Sequence, residues 1–285
     1  MNVTVDVRSN EEFASLSDDI NSTVDTLKKY IAEAAARIDK ELEFARSIQS
    51  SSLPSVFPPF PKEDSFDIFA QMYTAKEVGG DFYDFYMLND HQVAFVVADV
   101  SGKGIPAAMF MMRAKTSIKD LAEGGLDAGS IFSKANNSLC ENNEAGMFVT
   151  AWIGILDLRT GIVKFANAGH NPPLVKKANG EFVYMKSRAG LVLAGMEDIP
   201  YREQEMQLEP GDRIFLYTDG VTEANDIDGK LYGEDRLENF INSVKEENAE
   251  TVLNAIKGDI DLFAAEAPQF DDITMLMLDF KKYKA

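Results

Sequence analysis

The chain has 285 residues and a formal net charge of −19, with 45% hydrophobic and 10% aromatic residues. This apolar content is ample for a packed core and argues against global disorder, while the negative charge argues against nucleic acid or an anionic membrane surface as a partner. The single cysteine, Cys140, excludes an intramolecular disulfide and a thiolate zinc cluster, and a count of two histidines disfavours a zinc hydrolase, so we expect a protein of the reducing cytoplasm.

The first predicted element is a long helix from residue 11 to about residue 50, a stretch without glycine or proline. Its apolar side chains recur mostly at alternating steps of three and four, as in a coiled-coil seam, and two doubled steps of four act as stutters. The stripe comprises Phe13, Leu16, Ile20, Val24, Leu27, Ile31, Ala34, Ile38, Leu42, Ala45 and Ile48. A lone helix cannot bury so narrow a stripe, so we expect either a parallel homodimer or a helix that lies on the following domain.

The start of this helix resembles a known signalling module. Val5-Asp6-Val7-Arg8-Ser9-Asn10-Glu11-Glu12-Phe13 is similar to the end of a HAMP module, where a connector enters the second helix; the usual glycine is Ala14 here. The resemblance implies the cytoplasmic part of a longer, membrane-anchored receptor, and a chance amphipathic helix is the alternative. No apolar run in the sequence approaches the ~18 residues of a membrane span, and Met1 leads into no signal peptide.

Prolines end the helix and mark a predicted domain boundary at Pro54, which separates a signalling helix and linker (1–54) from a second domain (55–285). Strands are predicted at 66–73, 82–88, 92–98, 148–158, 162–167, 182–186, 213–218 and 273–280. Helices are predicted at 105–123, 128–142, 234–246 and 250–266. The hairpin-like spacing of the strands predicts an α+β fold of antiparallel sheets with helices packed outside.

Four aspartates stand at turns or strand ends: Asp81 follows two glycines, Asp99 and Asp219 each end an apolar strand, and Asp271 precedes the last one. Carboxylates brought together repel one another, and some would be forced to protonate. A divalent cation removes that penalty, and oxygen ligands select hard ions such as Mg²⁺ or Mn²⁺. The sequence therefore predicts a metal-dependent enzyme, provided that the fold brings these acids together. Each motif taken alone also fits a capped or solvated turn.

Other polar residues near these motifs are weaker candidates. Asp84 should face away from Asp81, since the two are three residues apart along a strand, and only one of Asp271 and Asp272 should face a shared site. His170 fits a general acid or a phosphate contact, but a buried structural histidine is the favoured interpretation. Methionines follow Asp99 on the next helix and should fill gaps in the core or at a partner surface; they are Met109, Met111 and Met112.

Taken together, these residues resemble the SpoIIE-like (RsbU-type) branch of the metal-dependent, protein phosphatase 2C-like (PPM) serine/threonine phosphatases. The match runs from about Leu42 to Phe280 and rests, in the family's order, on segments 77–84, 98–104, 168–173, 217–224 and 271–274. Glu43-Phe-Ala-Arg-Ser-Ile-Gln49, together with Leu53-Pro54, also resembles the regulatory linker that precedes the family's catalytic domain.

The resemblance implies an αββα sandwich with a binuclear Mn²⁺ or Mg²⁺ site at one edge of the two sheets. Matched by position, Asp99 would bridge both ions, and Val100 would lend its carbonyl to the second. Asp219 and Asp271 would hold the first ion, and Asp81 would hold the second, partly through water. These residues are the candidate catalytic and metal-binding set of this chain.

Two family features are missing, because the regions that carry a phosphate-binding arginine and a histidine in eukaryotic relatives offer Lys76 and Gly102 here. The resemblance implies hydrolysis of phosphoserine or phosphothreonine on a small STAS-type anti-sigma antagonist, or a similar regulatory protein in partner switching. A metal-dependent phosphodiesterase is an alternative that the net charge disfavours. A non-catalytic phosphoprotein-binding module is another, disfavoured by the four intact acids.

Overall fold

The computed structural model describes residues 11–245 and 248–284, so the part of the HAMP-like segment before Glu11 lies outside the described residues. The chain divides into two units, one ending at Ser47 and the other beginning at Ile48. The HAMP assignment and the functional domain boundary at Pro54 both stay predictions.

The predicted long helix is confirmed as α1 (Glu11–Ser52), which is continuous over 42 residues. Along its apolar stripe, Leu27, Ile31 and Ile38 are 54%, 68% and 56% exposed. Apolar surface left in water is unfavourable in proportion to its area, so a partner that covers this face would stabilise the helix. None of the helices in the described part of the chain is both long and apolar enough to cross a bilayer.

The second unit confirms the predicted α+β fold, with ten strands in two antiparallel five-stranded sheets within the described residues. The strands are β1 (Phe66–Tyr73), β2 (Phe82–Asn89), β3 (Gln92–Val100), β4 (Val149–Asp157), β5 (Ile162–Ala168), β6 (Leu174–Lys176), β7 (Phe182–Tyr184), β8 (Gln204–Gln207), β9 (Arg213–Tyr217) and β10 (Ile273–Phe280). The helices that follow α1 are α2 (Ile105–Glu123), α3 (Ala128–Cys140), α4 (Asp219–Thr222), α5 (Glu234–Ser243) and α6 (Ala249–Ala264).

The two sheets face each other between two layers of helices. One sheet has the strand order β1-β10-β9-β6-β7 and the other β2-β3-β4-β5-β8. Helices α5 and α6 pack on the first sheet and α2 and α3 on the second, while β1 and β10 contact β2 across the interface between the sheets. The layers therefore run α-β-β-α, as the family resemblance implies.

Strand β10 shows why the sequence folds into these layers. Its alternate side chains belong to two different hydrophobic clusters: Leu276 and Leu278 pack in the cluster between the sheets, and Met275 and Met277 pack in the cluster beneath α5 and α6. Successive side chains of a strand point to opposite faces. A strand covered on both faces therefore needs an unbroken apolar run, and that run made β10 easy to predict.

Strands β6 and β8 and helix α4 are absent from the predicted elements. Strand β6 has three residues, and β8 consists of polar or half-exposed residues at a sheet edge, so neither carries a periodic apolar signal. Helix α4 has four residues and begins at Asp219, where the sequence indicates a glycine turn. Cys140 ends α3 and is half-buried, as expected.

Candidate active site

Strand register places Asp81 beside Asp99. In the antiparallel pair of β2 and β3, Phe82 lies opposite Ala98, so the residue before β2 meets the residue near the end of β3. The two carboxyl groups lie close enough for each to act on the pKa of the other. Burial raises the pKa of Asp99 to about 7, and the negative charge of Asp219 adds to the shift. Burial, followed by repulsion from Asp99, also holds the pKa of Asp81 well above its usual value.

The other two predicted acids come from the facing sheet, where β9 and β10 pair. Tyr217 lies opposite Met275, so the residues just after β9 and just before β10 are neighbours. Burial raises the pKa of Asp219 to about 6, and the charges of Glu223 and Asp271 add to the rise. Since Asp219 and Asp271 both act electrostatically on Asp99, the fold brings all four predicted acids into one cluster.

Thr218 joins the two halves of this cluster. Its hydroxyl donates a hydrogen bond to Asp81 Oδ2 at 2.7 Å and accepts one from the backbone N–H of Thr274 at 3.0 Å. Thr218 is fully buried and directly follows β9 of one sheet, whereas Asp81, 137 residues away in sequence, directly precedes β2 of the other. The bond therefore fixes the Asp81 carboxylate across the interface between the sheets.

Asp272 holds the backbone that leads to Asp81. Its carboxylate accepts hydrogen bonds at 2.8 Å from the backbone N–H groups of Ala75 and Gly80, whereas its neighbour Asp271 forms an ion pair with Lys103 at 2.9 Å. The two adjacent acids thus have different partners, although the charge of Asp272 also raises the pKa values of Asp81 and Asp99. A side chain on Gly79 would overlap the Asp272 carboxylate, since its Cβ would lie 2.1 Å from Oδ2.

Two weaker candidates lie in structural settings. Asp84 forms a buried ion pair at 2.7 Å with Lys115 of α2, on the helix side of its sheet, and not with the acid cluster. His170 is buried, and its Nδ1 lies 2.8 Å from the hydroxyl of Thr150. Burial lowers the pKa of His170 to about 4. The imidazole is therefore neutral near pH 7, which supports a structural histidine over a cationic general acid.

The chemistry of the cluster fits a divalent cation. Its donors are carboxylate oxygens, the set that Mg²⁺ and Mn²⁺ prefer, and the carbonyl of Val100 lies against Gly80 beside them. No three acidic or imidazole side chains of the described residues are already arranged around one point as ligands. Asp81 instead bonds to Thr218, and Asp271 to Lys103. A cation bound among the acids would offset their mutual repulsion, which adds to the effect of burial on the pKa values of Asp99 and Asp219.

Sequence reasoning missed Thr218, Asp272 as a backbone anchor, and Lys103. Lys103 stands between two glycines, Gly102 and Gly104, and its ammonium lies 4.0 Å from the centre of the Phe270 ring. A lysine in a glycine turn shortly after Asp99 is a local pattern from which a position near the acids could have been predicted. The roles of Thr218 and Asp272 depend on contacts with distant segments, which no local pattern reveals.

Comparison with known proteins places the chain among phosphatases. The family model for Stage II sporulation protein E (SpoIIE) matches residues 89–281. The phosphoserine phosphatase RsbU of Bacillus subtilis (strain 168) is 30% identical over 241 residues, which is 85% of this chain and 70% of RsbU.

Solved structures share the same fold. The SiaA-PP2C domain of Pseudomonas aeruginosa superposes with a TM-score of 0.76 at 25% identity, covering 88% of this chain and 99% of that domain. RsbX, solved in complex with magnesium, superposes with a TM-score of 0.56 at 19% identity, over 76% of this chain and 96% of that one. The likeness to RsbX is one of fold alone.

We predict that Mn²⁺ raises the melting temperature more at about pH 8 than at about pH 6. Burial raises the pKa of Asp99 to about 7, against an ordinary value of 3.8. Between these two values the folded state binds a proton that the unfolded state has lost, so metal-free stability falls as the pH rises. Metal competes with that proton, and its stabilising effect should grow as the proton leaves.

The measurement is thermal unfolding with chelator or with Mn²⁺ across this pH range. Taking the difference between the two conditions cancels titrations outside the cluster, including that of His170. A Mn²⁺ shift that stays constant, or shrinks toward higher pH, would contradict the prediction.

Proposed function

This chain belongs to the SpoIIE family of serine/threonine phosphatases, and from that membership we propose that it dephosphorylates a serine or threonine on a regulatory phosphoprotein. The observation that carries the proposal is the convergence of Asp81, Asp99, Asp219 and Asp271 where the two sheets meet. The substrate class we favour is a small STAS-type anti-sigma antagonist in partner switching. Support for phosphoserine as the group that is hydrolysed comes from the relative RsbU, whose name describes a phosphoserine phosphatase.

We propose that the cluster holds two Mn²⁺ or Mg²⁺ ions. Asp99 would contact both, Asp219 and Asp271 would hold the first, and Asp81 and the carbonyl of Val100 would hold the second. Such ions supply Lewis-acid activation of water and neutralise phosphoryl charge. The magnesium complex of RsbX supports this choice of ion class.

Residues of the chain itself would do the remaining work. Thr218 holds the Asp81 carboxylate in place through the 2.7 Å hydrogen bond. Lys103 sets a positive charge at the more open side of the cluster, where its side chain is 28% exposed. In a chain of net charge −19, this lysine and the bound ions would attract an anionic phosphoprotein. We propose that Lys103 takes over part of the role of the missing arginine.

Asp99→Asn should lower phosphate release by at least about a hundredfold, or about 2.7 kcal/mol of transition-state stabilisation. The amide removes the shared ligand, but it also removes a repelling charge, so the metal-free fold should be at least as stable as the wild type. Phosphate release is measured with Mn²⁺ on a panel of phosphorylated STAS proteins, and unfolding is followed in chelator.

The matched control is Asp90→Asn, an exposed aspartate in the turn at the far end of the same β2-β3 hairpin. It should keep full activity. Chelation should abolish wild-type turnover, and Mn²⁺ or Mg²⁺ should restore it better than Zn²⁺. Near-normal turnover of Asp99→Asn in saturating Mn²⁺ would refute the bridging role, and full wild-type activity after exhaustive chelation would refute the metal mechanism.

We also propose that α1 forms a parallel homodimer through its stripe, because Leu27, Ile31 and Ile38 are more than half exposed. The stutters in the stripe would allow two packing states of similar energy, as a signalling switch requires. Attachment to a membrane receptor rests on the HAMP resemblance and stays a proposal.

Ile31→Asp combined with Ile38→Asp should convert the dimer to a monomer and change the turnover rate. A control with the same added charge on the opposite helix face is Ser22→Asp with Ala36→Asp, which should leave both unchanged. Sedimentation velocity and phosphate release report the two properties. If both double variants match the wild type in mass and rate, the homodimer proposal is wrong.

A further inference from the structure

Gln49, in the last turn of α1, makes a two-point contact with the turn that precedes Asp81. Its side-chain Nε2 donates to the carbonyl oxygen of Gly79 at 2.7 Å, and its Oε1 accepts from the backbone N–H of the same residue at 3.0 Å. The side chain is buried. The amide offers a donor and an acceptor at this spacing, and the carbonyl and N–H of Gly79 fix which way the amide is oriented.

Neither glycine of the turn that Gln49 contacts leaves room for a side chain. A Cβ on Gly79 would lie 2.1 Å from Asp272 Oδ2, and a Cβ on Gly80 would lie 2.6 Å from the carbonyl oxygen of Val100. Asp272 also accepts the N–H of Gly80 at 2.8 Å. The two glycines are therefore held by Gln49 and Asp272, and their backbone lies directly against Val100.

Both donors proposed for the second ion lie beside this turn. Asp81 is the next residue along the chain, and the carbonyl of Val100 touches Gly80. A displacement of ~1 Å near a reacting centre can cost about a hundredfold in rate. The position of Gly79 therefore affects the geometry of the proposed metal site, although Gln49 is not itself one of the proposed metal ligands.

The end of α1 is attached independently of Gln49. Leu53 is buried in the core, and the hydroxyl of Tyr83 donates to the carbonyl oxygen of Pro54 at 2.8 Å. The amide of Gln49 is thus not needed to dock the helix end. The contact that this amide adds is the one with the backbone of Gly79, in the turn before Asp81.

We propose that Gln49 is a positioning residue that sets the affinity of the site for its second ion, and so makes ion binding sensitive to the last turn of α1. This inference rests on the proposed metal site.

The test compares Gln49→Met, which keeps the length and helix propensity of the side chain but removes both hydrogen bonds, with the full wild-type chain. Mn²⁺ binding is measured by calorimetry, and the amide exchange of Gly79 and Gly80 by hydrogen–deuterium exchange. We expect affinity for the weaker ion to fall about tenfold, in the range seen when partners of metal ligands are removed. Exchange at the two glycines should rise, and saturating Mn²⁺ should restore most of kcat.

The matched control is Ser51→Ala on the same helical turn, since the exposed Ser51 hydroxyl bonds only to the carbonyl of Ile48. It should leave Mn²⁺ affinity and glycine exchange at wild-type values. If Gln49→Met does not fold, Gln49→Glu replaces it: the carboxylate keeps the acceptor for the Gly79 N–H but repels the Gly79 carbonyl, so weaker Mn²⁺ binding is again expected.

The outcomes separate the two proposals. If the wild type binds two Mn²⁺ ions and the Gln49 variant binds both with the same affinity, the positioning role is overturned and the metal site stands. If the wild type itself binds no Mn²⁺, the metal site fails, and the inference about Gln49 fails with it.

Discussion

The burial of carboxylates that repel one another is the constraint around which this phosphatase is organised. Two sheets each deliver acids to their common edge, and burial raises the pKa of Asp99 to about 7 and that of Asp219 to about 6. Such an arrangement opposes folding at neutral pH unless positive charge is supplied. Lys103 supplies some of it to Asp271. The proposed ions would supply the rest of the positive charge. The same ions would then both stabilise the fold and take part in catalysis.

The sandwich must hold this edge rigidly while its acids repel each other. Thr218 ties Asp81 to the opposite sheet, and Asp272 ties the preceding turn to the start of β10. Thr218 is neutral, and the Asp272 carboxylate accepts hydrogen bonds from two backbone N–H groups. Neither residue is among the proposed metal ligands. Gln49, in the last turn of α1, holds the same turn from a third side. Geometry at the acids is thus set by groups from three separate parts of the chain.

The sequence allowed much of the fold to be predicted, and the reason is visible in β10. Strands covered on both faces leave long apolar runs, and the four acids stand out because they lie at turns or strand ends beside such strands. Strands β6 and β8 carry no such contrast and were missed. The acids were therefore recognisable as candidates, but Thr218 and Gln49 were not, because their partners lie 137 and 30 residues away. Local patterns report burial and turns, whereas hydrogen bonds between distant segments appear only in three dimensions.

The central claim is that the four acids form a binuclear cation site, and anomalous diffraction tests it most directly. Crystals grown with Mn²⁺ should show two anomalous peaks ~4 Å apart, a typical separation in two-metal sites. The peaks should lie among the carboxylates of Asp81, Asp99, Asp219 and Asp271, with Asp99 within bonding distance of both. Fully occupied Mn²⁺ elsewhere with no peak among these carboxylates, or a peak that Asp99 does not contact, would contradict the account.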